Sequence, residues 1–148
     1  MWILSPGDVF AGRYRILREI GSGGMSYVFA AEDEELHENV ALKIIRPDFA
    51  GEDEFVSRFK HEVRIARQIR HPNIVQVLEF GSANIEGKRL YFLTMELLEG
   101  KDLGEIRTKN LLPLADTLRI GLQVCDALTA AHRMGVIHRD IKPQNIFI

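Results

Sequence analysis

The chain is 148 residues long, which makes it one domain or part of one. Hydrophobic residues form 46% of it and the net charge is −2, enough for a packed core and no general attraction to nucleic acid or membrane surfaces. Its single cysteine, Cys125, excludes a disulfide framework, offers no zinc spacing and fits a reducing, cytoplasmic compartment. Cys125 itself lies among apolar positions and is read as core. Trp2-Ile3-Leu4 is too short for the apolar part of a signal peptide, and no stretch approaches the roughly 20 apolar residues that span a bilayer.

Tyr14, Ile16 and the region of Ile20 read as a strand that runs into Gly21-Ser22-Gly23-Gly24, and residues 27–31 resume an apolar run. Two strands across a glycine turn make an antiparallel hairpin. Its glycines let backbone N–H groups approach phosphate oxygens, yet such turns are also common without a ligand. A dinucleotide-binding fold would need a helix next, whereas a strand follows. Residues 33–38 are a charged connection, and residues 39–45 alternate strongly. Period two puts Val40, Leu42 and Ile44 on one face and Ala41, Lys43 and Ile45 on the other. Lys43 either snorkels from an edge strand or needs a buried partner.

Residues 55–69 change period. Phe55, Phe59, Glu62, Ala66 and Ile69 recur at three and four, one face of a helix, with Glu62 its single charge. Lys43 and Glu62 can therefore resolve each other as an ion pair. The basic run at 58–70 and the acidic run at 32–35 read as solvated faces. After His71-Pro72, strands are expected at 75–80 and 90–95 around a polar loop at 82–88. Phe92-Leu93-Thr94-Met95-Glu96-Leu97-Leu98 is a strand end whose backbone donors and acceptors are open to a ligand or simply to water. Helices follow at 103–108 and 114–134, the second with Leu118, Leu122, Cys125, Leu128 and His132 on one face and Gly135 as its stop. The change from strands to helices falls near 96–101, and a cleft between two such lobes is where a ligand would sit.

His138-Arg139-Asp140-Ile141-Lys142-Pro143-Gln144-Asn145 then puts an acid, a cation and an amide in one short loop. Such a set can supply an acceptor for a hydroxyl proton, a charge for a moving phosphate and an oxygen ligand for a metal ion. The segment resembles the catalytic loop of protein kinases, H-R-D-x-K-x-x-N in their Ser/Thr branch. The bland alternative is a polar loop closing an amphipathic helix. The glycine turn, Val40-Ala41-Leu42-Lys43, Glu62 and His71-Pro72-Asn73-Ile74-Val75 stand in the order of that family, so the resemblance covers residues 13–148. Gly-Ser-Gly-Gly-Met-Ser and Arg58-Phe59-Lys60-His61-Glu62 look most like its bacterial Ser/Thr members. Ser26 stands where the family's third glycine is expected.

The resemblance implies an α+β, protein kinase-like fold. Its parts would be a lead-in at 1–12, a five-stranded antiparallel N-lobe with one helix at 13–95, a hinge at 96–101 and an incomplete C-lobe at 102–148, truncated after the catalytic loop. It implies ATP with Mg²⁺ or Mn²⁺, a protein substrate with a Ser/Thr acceptor, and self-phosphorylation in the intact protein. Ile20, Gly21, Ser22, Gly23 and Gly24 would lie over the phosphates. Val28 and Ala41 would cover the adenine from above and Phe147 from below. Met95 would be the gatekeeper, with Glu96 and Leu98 offering backbone groups to the adenine edge. Lys43 would hold the α- and β-phosphates with Glu62 as its partner. Asp140 would accept or orient the substrate proton, Lys142 would stabilise the transferring phosphoryl group and Asn145 would ligate Mg²⁺. Arg139 would pair with a phosphorylated activation loop, and His132 and His138 are read as packing and hydrogen-bonding residues. The family's Asp-Phe-Gly and Ala-Pro-Glu motifs do not occur in these residues, so this polypeptide alone is expected to be inactive, with the apolar face of its long helix exposed. A nucleotide-binding pseudokinase is the main alternative. An aminoglycoside phosphotransferase is disfavoured by Arg139 and Lys142-Pro143. A membrane anchor elsewhere in an intact protein stays open.

Overall fold

A computed structural model describes residues 4–46, 48, 53–109 and 111–148, with the side chains of residues 53, 55 and 109 left aside. The expected places of Trp2, Ile3 and the Phe55 side chain therefore lie outside the described residues. The chain divides into two compact units, Met1–Arg67 with Gln76–Leu97 and Gln68–Val75 with Leu98–Ile148. Residues 68–75, read from the sequence into the first lobe, group with the second unit.

The first unit contains β1 (Val9–Phe10), β2 (Tyr14–Ser22), β3 (Ser26–Asp33), β4 (Glu38–Ile45), α1 (Asp53–Ala66), β5 (Val77–Ile85) and β6 (Lys88–Glu96). The strands form one antiparallel sheet in the order β1-β2-β3-β4-β6-β5. It has six strands where the sequence suggested five, because β1 adds an edge strand too short to show alternation. The Gly7 N–H donates to the Ile16 carbonyl at 2.9 Å and the Ile16 N–H to the Asp8 carbonyl at 2.8 Å, so part of the lead-in belongs to the sheet. β5 also runs further than expected, to Ile85, and only Glu86 and Gly87 form the turn. Both have positive φ, 50° and 77°, the two-residue turn whose twist suits flanking strands.

The alternation of β4 holds. Val40, Leu42 and Ile44 join Phe10, Tyr14, Ile16, Phe29 and Phe92 in the main core. The rings of Phe10 and Tyr14 meet that of Phe92 edge-on, 5.2 and 5.6 Å between centroids. Ile45 and Tyr91 form a second cluster with Val56 of α1, against which Phe59 and Phe80 pack. The buried side of α1 is thus Val56, Phe59 and Val63, and the helix ends at Ala66, short of Ile69. This corrects the stripe drawn through Glu62, which precedes Val63 and so lies about 100° round the helix.

A charge network sits inside this unit. Arg13 donates from Nε and Nη2 to both oxygens of Asp33, at 2.8 and 2.6 Å, and from Nη1 to Glu79 at 3.1 Å. Asp33 is only 2% exposed and also accepts the Glu35 and Leu36 N–H groups. The Arg13 guanidinium holds the Asp33 carboxyl below its ordinary value of 3.8. Replacing Asp33 by Ala removes the bidentate partner of the half-buried Arg13, which keeps Glu79 and Glu35, and leaves the Glu35 and Leu36 N–H groups without their acceptor, so a loss of about 2 kcal/mol in urea unfolding is expected. A depressed acid stabilises the fold above its unfolded pKa. The wild type therefore loses this contribution as pH falls from 3.8 through the lower folded value, and Asp33→Ala does not.

The second unit holds α2 (Leu103–Lys109), α3 (Leu114–Arg133) and a 3₁₀ turn at Pro143–Asn145. Ile120 and Ala131 are the buried residues of α3, with Val124 and Ala127 half-buried between them. The apolar face expected to lie exposed is open, with Leu118 59% and Leu122 68% exposed. Cys125, read as core, is exposed and lines an open apolar groove of about 360 Å³ with Leu103, Leu112, Ile120, Val124 and Ile146. The helix is apolar on two sides, and only one of them finds cover among these residues. Gly135, at φ 75°, ends α3: its N–H donates to the His132 carbonyl and the Val136 N–H to the Ala131 carbonyl. Among the described residues no helix is long and apolar enough to cross a membrane.

Candidate active site

In the first unit the sheet register collects one set of the expected residues. Val28 lies opposite Lys43, Lys43 opposite Leu93, and Ala41 opposite Met95, so all five side chains share one face. Ile45 and Tyr91, on the same face, are covered by α1. Val28, Lys43 and Met95 stay half-buried. The face therefore offers an apolar floor with one cation.

The glycine turn closes one edge of that floor. Gly21 pairs with Val28, Ser22 with Tyr27, and the Gly23 N–H donates to the Ser26 carbonyl at 2.9 Å. A Cβ placed on Gly21, Gly23 or Gly24 would meet nothing within 4 Å, so space stands open beside the backbone of this turn. Ile20, just before it, is 38% exposed. At the end of β6 the Glu96 N–H donates to the Gln76 carbonyl at 3.1 Å, and the Glu96 carboxylate accepts the Gln76 N–H at 2.7 Å. This reciprocal brace fixes the strand end, and sequence reading missed it because Gln76 carries no periodic signal. Leu98 is half-buried.

Lys43 and Glu62 do not form the expected ion pair. Among the described residues no contact within 4.0 Å joins them, and Glu62 is exposed on the flank of α1. Burial lowers the pKa of Lys43, and the charge of Glu62 opposes that shift. The two groups feel each other's field without touching. Val56 and Val63 take the buried side of the helix, which leaves Glu62 exposed.

In the second unit the loop after α3 gathers the other set. Arg139 takes a left-handed φ of 63°, uncommon for a residue with a Cβ. The Asp140 N–H donates to Nδ1 of His138 at 3.3 Å. Lys142 Nζ lies 2.9 Å from Asp140 Oδ2, and Asn145 Nδ2 donates to the Asp140 carbonyl at 2.8 Å and to Oδ2 at 3.1 Å. Hydrogen bonds from Lys142 and then Asn145 hold the Asp140 carboxyl below its ordinary range. The acid, the cation and the amide are thus one bonded cluster, exposed to solvent.

The loop is braced from outside. The Leu103 N–H donates to the Ile146 carbonyl at 2.7 Å, Lys101 and Ile148 exchange backbone bonds, and Asp102 bridges to Phe147. Phe147 is 47% exposed. Asp102 Oδ1 also caps α2 by accepting the Glu105 N–H at 2.9 Å. Gly104 sits in the middle of this brace: a Cβ there would come 2.8 Å from Asp102 Oδ1 and 3.1 Å from Gln144 Nε2. No sequence pattern marked Gly104, since its role is a close approach between distant segments.

These residues fit part of a nucleotide and metal site. Both partners of Asn145 Nδ2 are acceptors, which leaves Oδ1 as the free oxygen for a hard cation. The described residues contain no group of three His, Cys, Asp or Glu side chains suited to a metal.

A family model described as "Protein kinase domain" matches residues 14–148. The chain is 43% identical over 143 residues to serine/threonine-protein kinase PrkC of Bacillus subtilis, covering 96% of this chain and 22% of that one. It is 38% identical over 149 residues to serine/threonine-protein kinase PknA of Mycobacterium tuberculosis, covering 98% and 35%. The crystal structure of the Mycobacterium tuberculosis PknI kinase domain superposes with a TM-score of 0.79 at 31% identity, covering 99% of this chain and 59% of that one. The chain thus spans well under half the length of these two curated relatives and little over half of the solved domain.

Proposed function

Because this chain belongs to the protein kinase family, we propose that it is the nucleotide-binding and catalytic-loop part of an ATP-dependent Ser/Thr protein kinase. The observation that carries the reading is the bonded cluster of Asp140, Lys142 and Asn145. An ionised carboxylate can orient a serine or threonine hydroxyl and take its proton. A lysine beside it can balance charge growing on a transferring phosphoryl group. Lys142, two residues past the acid, is also the family's mark of Ser/Thr acceptors.

In this reading Ile20, Gly21, Ser22, Gly23 and Gly24 approach the phosphates through backbone N–H groups. Lys43 neutralises the α- and β-phosphates once Glu62 turns towards it. Within the first unit, Val28 and Ala41 offer an apolar surface to the adenine ring, Met95 limits the depth behind it, and backbone groups of Glu96 meet the adenine edge. Asn145 offers Oδ1 to Mg²⁺ or Mn²⁺, which when bound neutralises and aligns the phosphates. The protein substrates, and self-phosphorylation among them, belong to the intact protein. A pseudokinase is the weaker reading, since Lys43, Asp140, Lys142 and Asn145 are all in place.

The test is transfer of radiolabelled phosphate from ATP to a generic Ser/Thr protein acceptor by the intact protein, beside a polypeptide of residues 1–148. Phosphoserine or phosphothreonine is expected from the intact protein and none from the short polypeptide, which offers the metal a single side-chain ligand. An intact protein that binds ATP but labels no acceptor would establish the pseudokinase instead.

A further inference from the structure

We propose that one side of α1 together with the β5–β6 hairpin is a docking surface for an acidic peptide segment of a partner protein, recognised by its carboxylates or phosphates. Lys60 and Arg64 on α1 and Arg67 in the turn just after it, whose N–H still donates to the Val63 carbonyl at 3.0 Å, follow one another at four and three residues and so continue one ridge beside the buried line of Val56, Phe59 and Val63. The ridge continues on the hairpin. Lys60 Nζ stands 4.9 Å from the centroid of Tyr91, and Arg89 Cζ stands 5.5 Å from the same ring. Lys88 precedes Arg89 and is exposed.

Arg89 is held in place. Its Nε and Nη2 both donate to Ser82 Oγ, at 3.2 and 3.1 Å, and its plane rests against Tyr91. A fixed guanidinium with donors to spare suits the paired oxygens of a carboxylate or phosphate. Among the described residues none of Lys60, Arg64, Arg67, Lys88 and Arg89 has an ion pair within 4.0 Å. Other cations of the chain, Arg13, Arg15, Arg58, Lys101, Arg119 and Lys142, each have an acidic partner, and what sets the ridge apart is that five cations, unpaired among the described residues, lie close together on one surface. Clustered cations without counter-ions repel one another, and an acidic ligand relieves that repulsion.

The chain does not supply the ligand from its own acidic run. Asp33 and Glu35 are bound by Arg13, and Glu34 by Arg15, so a second copy has few free carboxylates there to offer. A membrane surface fits less well than a peptide. Among the described residues no large hydrophobic side chain is exposed on α1 or between Ser82 and Arg89, so nothing there would insert into the acyl region. The same helix carries Glu62. On the functional reading above, a peptide gripping the ridge would therefore also bias the approach of Glu62 to Lys43.

The experiment measures binding, not transfer, so it stands apart from the kinase reading. Fluorescence anisotropy would follow a labelled Glu/Asp-rich peptide, its phosphoserine counterpart and a neutral peptide, with sedimentation of phosphatidylserine vesicles alongside. The acidic peptides should bind, and binding should weaken steeply as salt shortens the Debye length below about 10 Å. The double variant Arg64→Glu, Arg67→Glu reverses exposed charges that make no ion pair among the described residues, and should weaken binding by roughly tenfold or more. Arg18→Glu, an exposed cation on β2, should change it less than about twofold. Tighter binding of the phosphorylated peptide would identify phosphate as the recognised group, and equal binding would identify carboxylate. No binding by either acidic peptide, vesicle binding without peptide binding, or an unchanged affinity in the double variant would overturn the proposal.

Discussion

Replacing Asp140 by Asn in the intact protein is expected to lower phosphoryl transfer by about 10³-fold, within the range of a lost general base. Nucleotide affinity should change little. The substitution keeps an oxygen where Lys142 and Asn145 bind, 2.9 and 3.1 Å away, so the loop keeps much of its shape. What goes is the negative charge that, on the proposed function, orients and receives the hydroxyl proton. Lys142 and Asn145 hold the wild-type carboxyl below its ordinary value of 3.8, so this group stays ionised throughout the neutral range. Its contribution to the rate should therefore persist on acidification until the pH is below 3.8. Isothermal titration with an ATP analogue beside phosphate incorporation separates the two effects. Equal losses of binding and of rate would make Asp140 a structural residue.

How far the sequence could be read depended on whether a feature repeats along the chain. On β4 the alternation is written twice over, in Val40, Leu42 and Ile44 and again in Ala41, Lys43 and Ile45, and both faces are found where expected. β1 has two residues, and no period can be seen in two. The helices erred for another reason. α1 and α3 have apolar residues on more than one side, and which side is buried depends on neighbours distant in sequence. Val56 and Val63 outcompete a stripe containing Glu62, and on α3 the buried places go to Ile120 and Ala131 while Cys125, read as core, is exposed.

The site shows the same division. Asp140, Lys142 and Asn145 stood out through residue type and spacing alone. Their bonding also needs the left-handed turn at Arg139 and the brace from Leu103 to Ile146, neither of which has a signature in a single sequence. The network around Asp33 was illegible for a related reason: Arg13 reaches Glu79 across 66 positions. Such pairs appear only when the sheet order is known.

Lys43→Met should separate catalysis from stability most cleanly. In the intact protein, transfer is expected to fall by about 10²–10³-fold, because on the proposed function this charge neutralises the phosphates. The fold should not suffer. Lys43 is half-buried and, among the described residues, makes no ion pair. Burial lowers its pKa from 10.5, which means the protonated side chain is held at a cost. Methionine fills similar space without that charge, so the first unit should gain about 1 kcal/mol at neutral pH. The sign with pH follows. Between the lowered folded value and 10.5 the unfolded chain binds more protons, so the wild type gains stability as pH rises through that window. The advantage of Lys43→Met should accordingly shrink towards pH 10.5. Urea titrations of both proteins at neutral and alkaline pH measure this difference. Glu62→Gln gives the complementary result: with no direct contact to lose, it should leave stability near that of the wild type while slowing transfer, since only the nucleotide-bound state needs the acid beside the lysine. A marked loss of stability in Glu62→Gln, or undiminished transfer in Lys43→Met, would mean that the lysine is a packing residue.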